Sequence, residues 1–283
     1  VLTELKAYSS WRSAPTLPLT VGGRPETDLI QIRNIEGLDP VKASVGTSAY
    51  GSVDGASYVG SSVLSRNIVL TLHPNPNWDD WTYEALRRLI YSYFMPKMST
   101  KLVFYSDDLD PVEITGIVED VSVNQFSKDP EINVSIICPD PYFTSLDPKV
   151  VTGQTIQGAV GNPVTIDYKG SVESGINVKV TFVSGISPTQ IKVQIGDPTI
   201  QYFISDASVD ANLFYEMNSV PLKKYVQNVN IGSGVITSLL SKSHMEEGSE
   251  WPLLQPGENE FSVSTDSAGQ DWELSYFERF GGL

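Results

Sequence analysis

The residues best suited to chemistry are the carboxylates. The run SDDLDPVE, Ser106 to Glu113, sets three Asp and one Glu within eight positions, and hard cations select such oxygens. It has neither the turn glycine nor the ligand spacing of an EF-hand loop, so it reads as a solvated turn between two strands. In HMEEGSEW, Glu246, Glu247 and Glu250 flank His244. Carboxylate pairs hydrolyse glycosides when space brings them together, but this group reads as a charged loop. His73 and His244 lie far apart, and neither sits in a cluster with metal-ligand spacing. One cysteine, Cys138, permits no internal disulfide and no thiolate zinc site; it reads as a small buried residue. Nucleophile elbow, zinc-protease helix and phosphate loop are all missing from the sequence. The expectation is a non-enzyme with no cofactor and no metal.

Two aromatic residues suggest a different chemistry. Trp251 and Trp272 could stack on a pyranose face, with the Ser205–Val220 loop beside them. That gives a second functional class, a carbohydrate-binding module, against the plainer reading of tryptophans buried in a core.

The elements that would position these residues are mostly strands. Leu29–Ile35, Arg66–Leu72, Lys101–Tyr105, Val112–Val123 and Glu131–Cys138 are rich in Val, Ile and aromatics between turn residues. Ile68, Leu70 and Leu72 alternate with polar neighbours, as do Ile132, Val134, Ile136 and Cys138, the mark of a sheet with one buried side. The apolar phase shifts around Gly116, which suggests a bulge there. One helix is expected from Pro76 to Pro96, capped by Asp79 or Asp80, with an apolar stripe through Trp81, Ala85, Leu89 and Tyr93. Three prolines in CPDPYFTSLDP mark a border near Leu146. Beyond it, seven strand candidates (Pro163–Tyr168, Ile176–Val183, Gln190–Ile195, Ile200–Ile204, Pro221–Ile231, Asn259–Val263 and Trp272–Phe277) read as a β-sandwich. Pro256–Glu260, PGENE, reads as a hairpin corner.

Composition limits the partners. The 283 residues carry a formal charge of −15, with −7 in residues 1–150 and −8 in the rest. No basic half exists to hold phosphate. No apolar run approaches the ~20 residues needed to cross a bilayer, so no membrane insertion is expected and synthesis is expected in a cytoplasm.

One stretch resists a self-contained reading. Gly37–Val63 holds five glycines and six serines, too little apolar surface to anchor itself. Yet Val41, Ala43 and Val45 alternate with polar residues, and Val53-Asp54-Gly55 carries a hairpin turn signal. The expectation is a long hairpin arm whose contact residues are Val45, Tyr50, Val53, Asp54, Gly55, Tyr58 and Val59. An isolated two-stranded ribbon is marginal in water, so a neighbour, most economically a second copy of the chain, should cover it. A head-to-tail contact of that kind builds a ring or a filament.

Several of these segments resemble one family. NIEGLDPVKASV, DGASYVGSSV, SRNIVLTL, the WDDWTYEALRRLIYSYFMPK helix and VSIICPDPYF resemble the distal tail proteins of phages with long non-contractile tails, most closely those called minor tail proteins in phages of actinobacteria. In the second half, EWPLLQPGENEF and the Gly-Gly-Leu at 281–283 resemble the family's galectin-like C-terminal sandwich. The resemblance implies a mainly β chain of two domains. Residues 1–146 would be a tail-tube-like β-sandwich with one α-helix and the hairpin arm, and residues 147–283 a galectin-like β-sandwich. It further implies a homohexameric ring in the virion, at the distal end of the tail. That ring would join the tail tube protein to tail-tip or baseplate proteins, while DNA passes through its lumen without specific binding.

Overall fold

The structure is a computed structural model and describes residues 2–10, 16–21, 28–51, 54–76, 81–124, 129–157, 163–182, 190–196, 201–205, 213–240, 248–266 and 269–283. The chain divides into two compact units. Residues 1–146 with Phe280–Leu283 form the first and Asp147–Arg279 the second. The final four residues, expected in the second domain, thus fold with the first.

In the first unit the elements run β1 (Leu2–Ser9), β2 (Leu17–Val21), β3 (Ile30–Glu36), β4 (Ala43–Ala49), β5 (Ala56–Val63), β6 (Arg66–Pro74), α1 (Tyr83–Tyr93), β7 (Ser99–Ser106), β8 (Val112–Val123), β9 (Ile132–Cys138) and β10 (Phe143–Ser145). Seven strands pair in the order β8-β7-β1-β2-β3-β6-β9, and β9 pairs again with β8. The expected sandwich core is therefore wrapped by a sheet that closes on itself. Closure depends on the length of β8. Its first half pairs with β7, its second half with β9, and Ile117 stands opposite both Ser99 and Ile137. Every strand of this circuit feeds one cluster of buried side chains, including Leu5, Leu19, Ile32, Leu70, Leu102, Ile114 and Val134.

Gly116 answers a different need from the expected bulge. A Cβ there would come within 2.5 Å of Ile136 Cγ2 and 2.8 Å of Cys138 Sγ. The register shift itself lies further on, between Val118 and Asp120. Cys138 is buried, and desolvation pushes its thiol up to about 11.

The helix is shorter than its sequence pattern. Residues 77–80, which include the proposed caps Asp79 and Asp80, lie outside the described residues. Thr82 is the cap, its Oγ1 accepting from the Ala85 N–H at 3.3 Å. The buried stripe is Leu86, Ile90, Tyr93 and Phe94, a turn-related set that shares only Tyr93 with the expected stripe. The helix stops before Pro96: Phe94 donates its N–H to Ile90 and leaves helical geometry.

The second unit contains β11 (Lys149–Gln154), β12 (Ile156–Gln157), β13 (Val164–Tyr168), β14 (Ser174–Thr181), β15 (Gln190–Ile195), β16 (Gln201–Ser205), β17 (Leu213–Asn218), β18 (Tyr225–Asn230), β19 (Ile236–Ser238), β20 (Leu253–Leu254), β21 (Gly257–Thr265) and β22 (Asp271–Tyr276). One sheet has the order β11-β22-β14-β17-β18-β19, with β20 also on β14; the other runs β12-β21-β15-β16, with β13 also on β21. Val178, Met217 and Leu274 from the first sheet share a core with Ile166, Val193 and Phe261 from the second. The Pro256–Glu260 segment is a corner between these sheets rather than a hairpin turn, since β20 belongs to one and β21 to the other. Asn259 holds that corner through its side chain, accepting from Gln255 N–H at 2.9 Å and donating to Gln255 and Gly257 carbonyls. A last short strand, β23 (Arg279–Phe280), pairs with β10, and Phe280 packs on the first unit's core.

Candidate functional site

The feature that most needs a partner is the β4–β5 ribbon. Among the described residues these two strands pair only with each other, from Ala43↔Val63 to Ala49↔Ala56. Every residue of β4 is exposed, and no residue of β5 is buried. Their outer backbone edges carry no strand, although protein edges are normally covered or charged.

The ribbon is not featureless. Its register passes from Val45↔Ser61 through Gly46↔Gly60 to Thr47↔Tyr58, which leaves Val59 as one extra residue. Strand side chains alternate between faces, so the extra residue turns Tyr58 onto the face that carries Val45, Ser61 and Val63. The contact between Tyr58 Oη and Ser61 Oγ, 2.7 Å, lies on that face. One side thus gathers Val45 at 57% exposure and Tyr58 at 66% with Val63, while Val59 stands at the bulge. At the tip, Tyr50 is exposed, as are Asp54 and Gly55. The connection runs from residue 50 to 55, longer than the two-residue turn that Asp54-Gly55 signals; Gly55 does adopt a positive φ of 107°. Val53, the remaining expected contact, lies outside the described residues.

The ribbon's root is fixed by a residue that the sequence did not flag. Arg66, 2% exposed, opens β6. Its Nε donates to the Pro141 carbonyl at 2.7 Å, and its two terminal nitrogens donate to the carbonyls of Gly37, Asp39 and Gly281. The guanidinium also lies 4.5 Å from the Phe143 ring centroid. Burial lowers its pKa from the ordinary arginine value, opposed by neighbouring charge. A planar fork of five N–H donors can bind four carbonyls from three separate segments, which a lysine cannot. Leu283 adds a backbone bond to the Leu38 carbonyl, 3.0 Å. Gly37 takes φ 88°, and a Cβ there would sit 2.0 Å from the Asn67 carbonyl oxygen. The only signal available in the sequence was a lone arginine at the head of an apolar strand.

Beside the root is a pocket of about 260 Å³. Phe104 and Val112 form its buried floor, with Leu2, Leu38, Leu109 and Leu283 around them. Asp108 and Asp110 of the β7–β8 loop stand at its rim. The SDDLDP run is thus a strand connection, as read, and among the described residues no group of three or more His, Cys, Asp or Glu is placed to hold a metal.

The tryptophans separate. Trp272 is 4% exposed, packed edge-on against Phe261 at 5.0 Å and under Gly153, so it offers no face to a sugar. Trp251 is half-buried, with Lys224 Nζ 5.4 Å from its ring centroid. The loop expected across Ser205–Val220 includes strand β17, bonded on both sides; residues 206–212, like His244, Glu246 and Glu247, lie outside the described residues. No helix among the described residues is long and apolar enough to cross a membrane.

No protein-family model matches the sequence, and no curated protein matches it significantly. Solved structures do match. The crystal structure of the Dit protein of phage SPP1, described as a hub of the adsorption apparatus in phages that infect Gram-positive bacteria, aligns over 98% of this chain and 99% of that one. The TM-score is 0.66 and the identity 15%. A chain of the phage P2 baseplate, in its activated conformation with calcium, aligns over 99% of both chains with a TM-score of 0.48 and 10% identity. The chain therefore has the fold of SPP1 Dit along nearly its whole length.

Proposed function

We propose that this chain is a structural protein of a phage tail, a distal hub ring that joins the tail tube to tail-tip or baseplate proteins. The observation that carries the reading is the ribbon, a paired but uncovered β-arm on a chain whose fold matches a phage hub protein end to end. Six copies arranged head-to-tail cover each arm with the next subunit. The first unit forms the ring, and the second unit is a galectin-like sandwich. The virion is that of an actinobacteriophage, the ring lies at the distal end of its tail, and the chain is made in the host cytoplasm. No catalytic role is assigned.

The charge suits a conduit for DNA. Each subunit carries −15, and six copies multiply that sixfold. An acidic wall gains nothing from counterion release and lets the polyanion slide. Acidic side chains of the first unit line the lumen; an arginine-rich bore in the imaged assembly would refute this part.

The test is native mass spectrometry with electron microscopy of the purified full chain. A six-membered ring is expected, and deletion of Gly46–Ser62 should yield monomers that melt at the parent temperature. Hexamers formed by the deletion variant would remove the arm from the explanation.

A further inference from the structure

We propose that the pocket between Phe104, Leu109 and Leu283 is the seat for the arm of a neighbouring copy, with the ring of Tyr58 entering it. The inference rests on the head-to-tail reading above and names the two surfaces that meet.

The first unit carries two apolar surfaces that none of the described residues covers. One is the ribbon face with Val45, Tyr58 and Val63; the other is the pocket, whose Leu109 is 57% and Leu283 40% exposed. They cannot satisfy each other within one chain. Leu38 at the root is itself a pocket wall. From Ala43 the strand leads away, and Tyr58, opposite Thr47, stands about 13 Å further out at ~3.3 Å per residue. The root is held by the Arg66 bonds, so the arm does not fold back over its own base.

Chemistry matches the pair. The pocket has an apolar floor and a carboxylate rim, so it suits an occupant with an apolar body, a polar edge and no negative charge. Between Lys42 and Arg66 the arm has a single charge, Asp54 at the tip. Tyrosine offers both an apolar ring and a polar end, and Tyr58 is the tyrosine of the arm that shares a face with Val45 and Val63. The Tyr58 Oη–Ser61 Oγ contact can run in either direction; with Ser61 as its donor, the Tyr58 hydroxyl proton is left to donate to Asp108 or Asp110 of the neighbouring copy. Contact between two different patches of the same chain is head-to-tail, which is what closes a ring.

The experiment uses the full chain with Tyr58→Cys and Leu109→Cys, singly, mixed and combined, under mild oxidation with oxidised glutathione. Cys138 stays out of the exchange because it is buried and its thiol is protonated. Mixing the two single variants should give a covalent dimer at least about tenfold faster than either alone. The double variant should give a ladder up to the ring number on a non-reducing gel. Leu109→Glu, at an exposed position, should keep the parent melting temperature and lose the oligomer. Rings seen by native mass spectrometry without cross-linking would overturn the seat and leave the ring standing. An intrachain disulfide confined to monomers would also overturn it, and a wild-type chain that never assembles would overturn both readings.

Discussion

Strands β5 and β6 follow each other in the chain, separated only by Leu64 and Ser65, and meet opposite circumstances. Both are antiparallel and fully hydrogen-bonded to a partner over most of their length. Ile68, Leu70 and Leu72 of β6 have no exposed surface, whereas nothing in β5 is buried. Backbone pairing is therefore common to the two and cannot be what anchors a strand, since each such bond largely replaces one made to water. Burial makes the difference, at about 25 cal/mol per Å² of apolar surface. A segment that pairs without burying is a strand waiting for a surface.

That contrast can be broken by substitution. The largest effect should come from Leu70→Ala, which empties part of the closed core and costs about 2–5 kcal/mol in denaturant unfolding. Val45→Ala in the ribbon should cost less than about 0.5 kcal/mol in the monomer; equal costs would mean the ribbon packs on its own body. Arg66→Lys comes next. It keeps the charge but strands some of the carbonyls, for about 1–3 kcal/mol. Amide exchange near Gly37–Asp39 should rise more than in β6, and uniform protection would deny the residue its role at the root.

The second unit sharpens the comparison, because it holds a polar face that is bonded rather than bare. Glu216 is partly buried, which raises its pKa, but bonds from Asn177, Tyr225 and Gln227 outweigh this and hold it below the ordinary glutamate value. A depressed carboxylate stabilises the fold above its unfolded pKa, near 4.5, and loses that contribution as pH falls through the lower folded value. Stability of the chain should thus drop on acidification below pH 4.5, and Glu216→Gln should flatten the slope; an unchanged slope would show the network to be idle. The smallest effect belongs to Tyr58→Ser, within about 0.5 kcal/mol of parent monomer stability by thermal melting. A larger loss would indicate packing within the chain.

Some of this was legible in the residues, and the pattern of success is physical. Period-2 alternation located β6 and β9 because each has one wetter and one dry face. The arm was readable from its shortage of large side chains. β1 and β17 escaped notice: LTELKAYS spends its apolar positions on Leu and Ala, weak strand formers, and LFYEMN is flanked by polar sequence. Arg66 was invisible for a different reason. Its acceptors are carbonyls, which every residue type supplies, so no side-chain signature marks them. The tryptophan at 272 misled in the opposite sense, since composition alone cannot distinguish an aromatic that faces a ligand from one that faces Phe261.

Arg66 and Gly281 are 215 positions apart. On a ribosome the arm is thus finished early, but the last acceptor for its anchoring guanidinium emerges only 215 residues after the arginine itself. A nascent chain therefore holds its sticky ribbon by an incomplete hinge, and correct presentation to a sibling is deferred until translation has passed the glycines at 281 and 282.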